Sequence, residues 1–359
     1  MPALVAAPSS LTVAKTLAPH LLSLTLPLTA LGFLLTGTHP FYAALPWLFV
    51  VVLAILIDNR SPADRRAPVP GLPALPFDLL LAVLAALQIA NIALLGRLIA
   101  VSGLFSADAL VAVLLVGMNT GYSAIVVAHE LTHRRSRAAQ FVGRVLMMTA
   151  LYEHFSTEHI RGHHARLGTS DDPATARYDE TFGAFLVRTV PAQFRSAWAI
   201  ERARVGGSIA QNRVVQGIAA EVVIGASMLA FAGPAALAVF VLQAAVAVCL
   251  LEAVNYFEHW GIVRAGKKVR PVDSWDTESW FTLHALVGLS HHADHHAYAA
   301  RPYQELRTWD ESPKLPRGYL GMVVLVIGRN RECRRLLREE LARVGLRSVA
   351  GQPVSSFAG

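Results

Sequence analysis

The sequence predicts an all-α membrane protein of six transmembrane helices, and three observations predict it. Hydrophobic residues make up 54% of the 359 residues and charged residues only 16%, against about 25% charged in an ordinary soluble domain. Asp, Glu, Lys and Arg are absent from Thr16 to Ile57, Leu79 to Gly96, Ala109 to Ala128 and Val222 to Leu251. Basic residues, finally, are concentrated in alternate connections and in the flanking ends, Arg97 being the one exception.

A helix that crosses the hydrocarbon core needs about 20 mostly apolar residues. Spans are expected near 17–36, 40–57, 77–96, 108–128, 214–232 and 235–256. Gly37 to Pro40 divides the first pair, and Gly233-Pro234 divides the last, both being turn signals. With six spans, segments 37–39, 97–107 and 233–234 share one side and hold one basic residue, Arg97, of the 32 in the chain. The positive-inside rule makes the other side cytoplasmic. Both termini then face the cytoplasm, as in a bacterial inner-membrane protein. A net charge of +7 and a pI near 9.7 follow from this topology and from anionic headgroups, so no nucleic-acid partner is implied. The N-terminus lacks a basic start and a small-residue cleavage site, so no removable signal peptide is expected.

The whole chain, 1–359, reads as one membrane domain. Residues 58–76, with Arg60, Arg65, Arg66 and five prolines, form a cytoplasmic loop. Residues 131–213 are a polar insert in which Phe182 to Trp198, interrupted by Pro191, is expected to lie along the interface. The tail 329–359 opens with a basic amphipathic stretch, Arg331 to Leu346, expected to be a surface helix. Only two cysteines occur, Cys249 and Cys333, with no C-x-x-C pair. That argues against disulfides, zinc ribbons and iron–sulfur clusters and leaves the chain without a redox relay of its own.

Nine histidines fall in four groups: His129 and His133; His159, His163 and His164; His259; and His292, His295 and His296. Imidazole is the commonest side-chain metal ligand and suits iron, zinc and copper. Nine exceed the needs of one ion, so two are expected. Spans four and six run in the same direction and end at His129 and His259, so all nine can meet at the cytoplasmic surface. Residues i and i+4 share a helix face, which pairs His129 with His133, His159 with His163, and His292 with His296. His164 and His295 are then offset towards a second ion. Glu130, Glu158, Glu258 and Asp294 each lie beside a ligand. Sequence neighbours do not face each other on a helix, so each carboxylate is expected to orient an imidazole from another segment and to offset the ionic charge. Glu252 lies inside span six, on the face of His259. His154 and His284 are close enough to sit outside the ligands; His291 adjoins a group, and His20 and His39 belong to the wrong ends of their spans.

His129-Glu-Leu-Thr-His133 alone fits the zinc-protease pattern, but a zincin needs about one further ligand and leaves the other groups without purpose. A metal transporter would set its ligands near the bilayer midplane. Taken together, the elements HELTHR, EHIRGHH, NYFEHWG and LSHHADHHA, with DDPATAR at 171–177 and PYQELRTWDESPKLPRGYLGM at 302–322, resemble the integral-membrane alkane 1-monooxygenases. The resemblance covers roughly 115–325. Where that family carries Lys, Tyr, Arg and Ser, this chain has Arg134, Trp260, His291 and Ala293, none of them a ligand position.

The resemblance implies a six-helix fold with a cytoplasmic-side, histidine-rich di-iron site whose ligands are the nine histidines above. It implies hydroxylation of the terminal methyl of an alkane by dioxygen, with electrons from rubredoxin and its NAD(P)H-dependent reductase. Aryl-methyl oxidation of the xylene type and fatty-acyl desaturation are the alternatives it leaves. A hydrocarbon substrate is expected to enter from membrane lipid through a tunnel between the spans, which Trp47 in span two is bulky enough to close.

Overall fold

The computed structural model describes residues 7–344 and is helical, with two isolated β-bridges (Ala63 with Ser279, Asp276 with Lys314) among them. Five helices are long and apolar enough to cross a membrane. The first, α1, runs Ser10–Leu35, seven residues earlier than the charge-free run suggested. Ser9 caps it by accepting the Thr12 amide at 3.2 Å, and Lys15 near its end is tolerated because a lysine stem can lie along apolar surface. Pro19 removes a helical hydrogen bond, and the chain tightens to a 3₁₀ segment at Leu21–Leu24. Helix α2 spans Phe41–Asp58, α3 Ala74–Ser102 and α4 Ala107–Thr132. Ser106 caps α4.

The polar insert is more ordered than its composition announced. It contains an amphipathic helix, α5 (Arg137–Thr149), and the broken helix α6 at 155–166. Helix α7 (Phe182–Val205) continues through Pro191, where an interruption had been expected. Its buried stripe of Phe182, Phe185, Thr189, Gln193, Ala197 and Glu201 recurs at helical spacing, so α7 packs one face against its neighbours.

The longest element, α8, is Arg213–His259. Unbroken, it would extend about 70 Å, over twice the hydrocarbon core. Gly233 adopts φ +85° and ψ 175° ahead of Pro234, dividing α8 into limbs 213–232 and 234–259. A Cβ on Gly225 would meet Leu237 Cδ1 at 3.5 Å. Twelve residues along a continuous helix lie about 18 Å apart, so the chain turns back at Gly233.

Glycines set how α4 meets α8. A Cβ at Gly117 would strike Val246 at 2.7 Å and the Gln243 carbonyl at 2.9 Å, and one at Gly121 would meet Leu250 at 3.0 Å. Such close approach is what small residues permit at membrane-helix crossings. Both contacts advance in step along the two helices, so they run parallel and carry His129 and His259 to the same end. Polar side chains add a buried network between them. Gln88 of α3 donates to Thr120 and Thr149 at 2.9 Å, Asn119 donates to Gln88 at 2.8 Å, and Thr120 donates to Gln243 at 2.8 Å.

The tail closes the same end through α9 (Trp280–Ala285), α10 (His292–Ala297), α11 (Tyr319–Gly328) and α12 (Asn330–Arg343). Asp58, the last residue of α2, accepts from Ser279 and Thr282 at 2.7 Å and from the Leu320 amide at 2.9 Å. At ten residues α11 is apolar but too short to cross. As expected, α12 is an amphipathic surface helix, burying Cys333, Leu337 and Leu341; the rest of the basic tail, 345–359, lies outside the described residues.

Candidate metal centre

Four segments bring the nine histidines to one place. His129 lies in the last turn of α4 and His133 follows it. His259 ends α8, and α10 carries His292, His295 and His296. The α6 group departs from the expected pairing. His159–His163 is a π-helical turn, in which the hydrogen bond spans five residues instead of four. His159 therefore aligns with His164, their Nε2 atoms 3.1 Å apart, and His163 is the residue that faces the other way.

Two sets result. One ring nitrogen from each of His129, His133, His159 and His295 lies within 4.8 Å of the others, and His164 joins them through His159. The same holds for His163, His259 and His296. His292 completes that set, its Nε2 3.2 Å from that of His259 and 2.9 Å from that of His296. The sets adjoin, with the His164 and His296 ring centroids 4.4 Å apart.

The donor atoms suit cations. Nε2 of His129 and of His295 is buried without a hydrogen-bond partner, which is costly unless something fills it. Burial, with the neighbouring imidazoles, lowers the pKa values of His159, His164, His292, His295 and His296 well below the ordinary range. Burial likewise lowers His133 to about 4. Neutral imidazoles crowded in this way offer lone pairs, and an all-nitrogen donor set fits iron, zinc or copper.

His163 differs from the rest. Its Nδ1–H donates to Asp172 Oδ2 at 2.9 Å, which fixes Nε2 as the donor towards a metal. Burial opposes its protonation, but the attraction and hydrogen bond of Asp172 outweigh that and raise its pKa. Asp172, in DDPATAR, is thus the carboxylate that orients an imidazole. Its loop had been singled out in the sequence, but nothing in the spacing distinguished this aspartate.

The four carboxylates expected in that role behave differently. Glu130 pairs with Arg134 at 2.8 Å and accepts the Tyr303 amide at 3.3 Å. Glu158 accepts from Arg166 at 2.6 Å, Ser196 at 2.9 Å and the His163 amide at 3.1 Å. Asp294 holds Arg301 at 2.6 Å and Trp309 Nε1 at 2.8 Å. These three fasten the segments that carry the histidines. Only Glu258 reaches an imidazole, with Oε2 3.2 Å from His292 Nε2, while Tyr319 donates to its other oxygen at 2.5 Å. Glu258, His259 and His292 form a third convergent set, so this carboxylate faces the donors directly. Glu252 turns away from them, bonded to Tyr152 at 3.0 Å and Gln193 at 2.9 Å.

An apolar cavity abuts both histidine sets. His129, His159, His292 and Glu258 form its polar wall, and Ile125, Val126, Phe155, Leu251 and Val254 are among the apolar residues opposite. Trp47 is not part of it. Helix α2 begins at Phe41, so Trp47 sits about two turns from the far end. There it covers Gly32 and packs near Phe33 and His39, at 5.9 and 6.2 Å between ring centroids. His39 bonds Asp108 at 2.7 Å at that far end. His20, in contrast, is buried at the histidine end, its ring 4.5 Å from His284 and 5.1 Å from Tyr303. His154 packs on Tyr152 at 4.3 Å, and both ring nitrogens of His284 and of His291 lack hydrogen-bond partners, with His284 Nε2 3.7 Å from Asp64.

Residues 106–325 match the family model of the fatty acid desaturases. The chain is 34% identical to alkane 1-monooxygenase 1 of Pseudomonas aeruginosa, over 81% of each chain. It is also 34% identical to alkane 1-monooxygenase 2 of that organism, over 79% of this chain and 81% of the other. The chain belongs to the alkane 1-monooxygenase family. The xylene/toluene monooxygenase hydroxylase component XylM of Pseudomonas putida is a more distant relative, 25% identical over 55% of each chain.

Proposed function

We propose that this protein is a non-haem di-iron monooxygenase that hydroxylates the terminal methyl of an alkane to a 1-alkanol. Substrate, dioxygen, two electrons and two protons would yield alcohol and water. The carrying observation is an apolar cavity that ends on two adjoining sets of convergent imidazoles. The proposed ligands of one iron are His129, His133, His159, His164 and His295; those of the other are His163, His259, His292 and His296. The chemistry supplied by a bound iron pair is reductive activation of dioxygen and transfer of one oxygen atom to carbon. Within that frame Asp172 holds the tautomer of His163, and Glu258 faces the centre as a ligand or a proton carrier. Glu130, Glu158 and Asp294 keep the histidine segments in register. The apolar wall excludes water from the reacting carbon.

The chain has no C-x-x-C pair, so electrons must come from outside; we assign their delivery to rubredoxin and its NAD(P)H-dependent reductase. The reversal at Gly233 supports six spans in a single domain across 1–359, with both termini and the iron centre at the cytoplasmic face of an inner membrane. Substrate would come from the surrounding lipid. The higher identity to alkane enzymes favours alkanes over methyl-arenes.

The test is purified protein with rubredoxin, reductase and NADH, offered octane, hexadecane and p-xylene, with metal analysis alongside. Two irons per chain and 1-octanol are expected. A single zinc per chain, or xylene oxidation with no alkanol, would overturn this assignment.

A further inference from the structure

A second cavity lies outward of the one against the histidines, and the two share Tyr122 and Leu286. Leu26 of α1, Val51 and Ala54 of α2 and Ala285 of α9 wall the outer cavity. Leu53 and Ile57, also in its wall, are 44% and 43% exposed within the spanning part of α2. The outer cavity is the roomier of the two.

The backbone departs from regularity at each shared residue. Tyr122 lies in a π-helical turn, Thr120–Ala124, inside α4; such turns insert an extra residue and re-aim side chains. Its neighbour Gly121 is pressed on Leu250, leaving that side no room to yield. Leu286 follows α9 and precedes Val287, whose φ of +46° is costly for a β-branched residue. Strain of this kind persists where the surroundings enforce it, often at functional sites. Two unrelated elements thus each depart from regular geometry at a residue that lines both cavities.

We propose that Tyr122 and Leu286 form a neck that sets substrate shape, with the tail of a linear chain in the outer cavity and its reacting methyl against His129, His159 and His292. This rests on the hydroxylase reading above. A polymethylene chain passes between a phenol ring and an isobutyl group, whereas a ring or a branched carbon meets both. The outer cavity then limits chain length.

The test is competition between octane and p-xylene, with iron content and melting temperature recorded for each variant. Tyr122→Ala and Leu286→Ala are expected to raise the xylene-to-octane ratio about tenfold, the lower end of what shape discrimination by a pocket supplies. Should either lose iron, Leu286→Val carries the measurement. Ala285→Phe, which fills the outer cavity, is expected to abolish hexadecane turnover and spare hexane. Trp47→Ala, at the far end, leaves the ratio unchanged. Iron-loaded neck variants with an unchanged ratio, or a Trp47→Ala ratio that rises equally, would overturn the neck. A wild-type enzyme that oxidises p-xylene but no alkane defeats the alkane reading instead. The neck then stands or falls on whether Tyr122→Ala shifts the mesitylene-to-xylene ratio.

Discussion

Asp172 is where a single residue does most to tune the centre. Asp172→Asn keeps the shape but removes the charge that favours the Nδ1–H tautomer of His163. Loss of a partner of this type costs about 10–100-fold in metal affinity or activity. We expect one of the two proposed irons to be lost preferentially, seen as a fall in the iron-to-protein ratio towards one. Full iron and full turnover would show that His163 needs no such support. The same pair gives a pH dependence. The raised pKa of His163 means that a proton competes with metal near neutral pH in its set, so affinity there rises as pH rises. His133, lowered to about 4, and His159, His164 and His295, lowered well below the ordinary range by burial, stay neutral through that range. Chelator competition on apo-protein at pH 6 and pH 8 should find one site strengthened and one unchanged; two sites moving together would contradict this. That all nine histidines would converge was legible in the sequence because their grouping is chemical. The partner of each carboxylate was not, because an acid beside a histidine in sequence is turned away from it by the helix, as Glu130, Glu158 and Asp294 show.

At the level of elements, the crossing of α4 and α8 determines whether the centre exists. Gly117→Ala touches no ligand, yet its Cβ would meet Val246 and the Gln243 carbonyl, and the latter is backbone that cannot rotate away. Overpacking of this kind costs about 1–3 kcal/mol. The parallel helices would separate where they carry His129 and His259, so we expect a lower melting temperature together with reduced iron. Unchanged iron in a folded variant would mean that the crossing is not what aligns the two segments. The spans themselves could be read from charge-free runs, whose cause is the bilayer. Helix α5 and the continuity of α7 through Pro191 could not, since their order comes from packing against other segments. The π turn at His159–His163 was equally hidden: EHIRGHH invites an i, i+4 pair, and only the wider turn exchanges His163 for His164.

For the whole molecule, sidedness is the property on which electron delivery depends. The loop between α3 and α4, with Phe105 fully exposed, lies at the opposite end of α4 from His129. The reversal at Gly233 belongs to that same end, because Gly96 of α3 lies beside Met228 and Ala232. Lys267 follows His259 at the histidine end. Among the described residues Arg97 is the one basic residue on the Phe105 side, and in the proposed topology the positive-inside rule turns that side away from the cytoplasm. Cysteines placed at Phe105 and Phe231 should therefore react with a membrane-impermeant maleimide on intact cells, and a cysteine at Lys267 only in inverted vesicles. The native thiols give little background, since Cys333 is buried and Cys249 lies within α8. Labelling at Phe105 but not Phe231 would mean that the break in α8 does not reach the outer face, so that neither limb crosses and the span count falls to four. Labelling of Lys267 from outside would put the histidines out of reach of a cytoplasmic electron donor, and no arrangement of ligands could then sustain turnover.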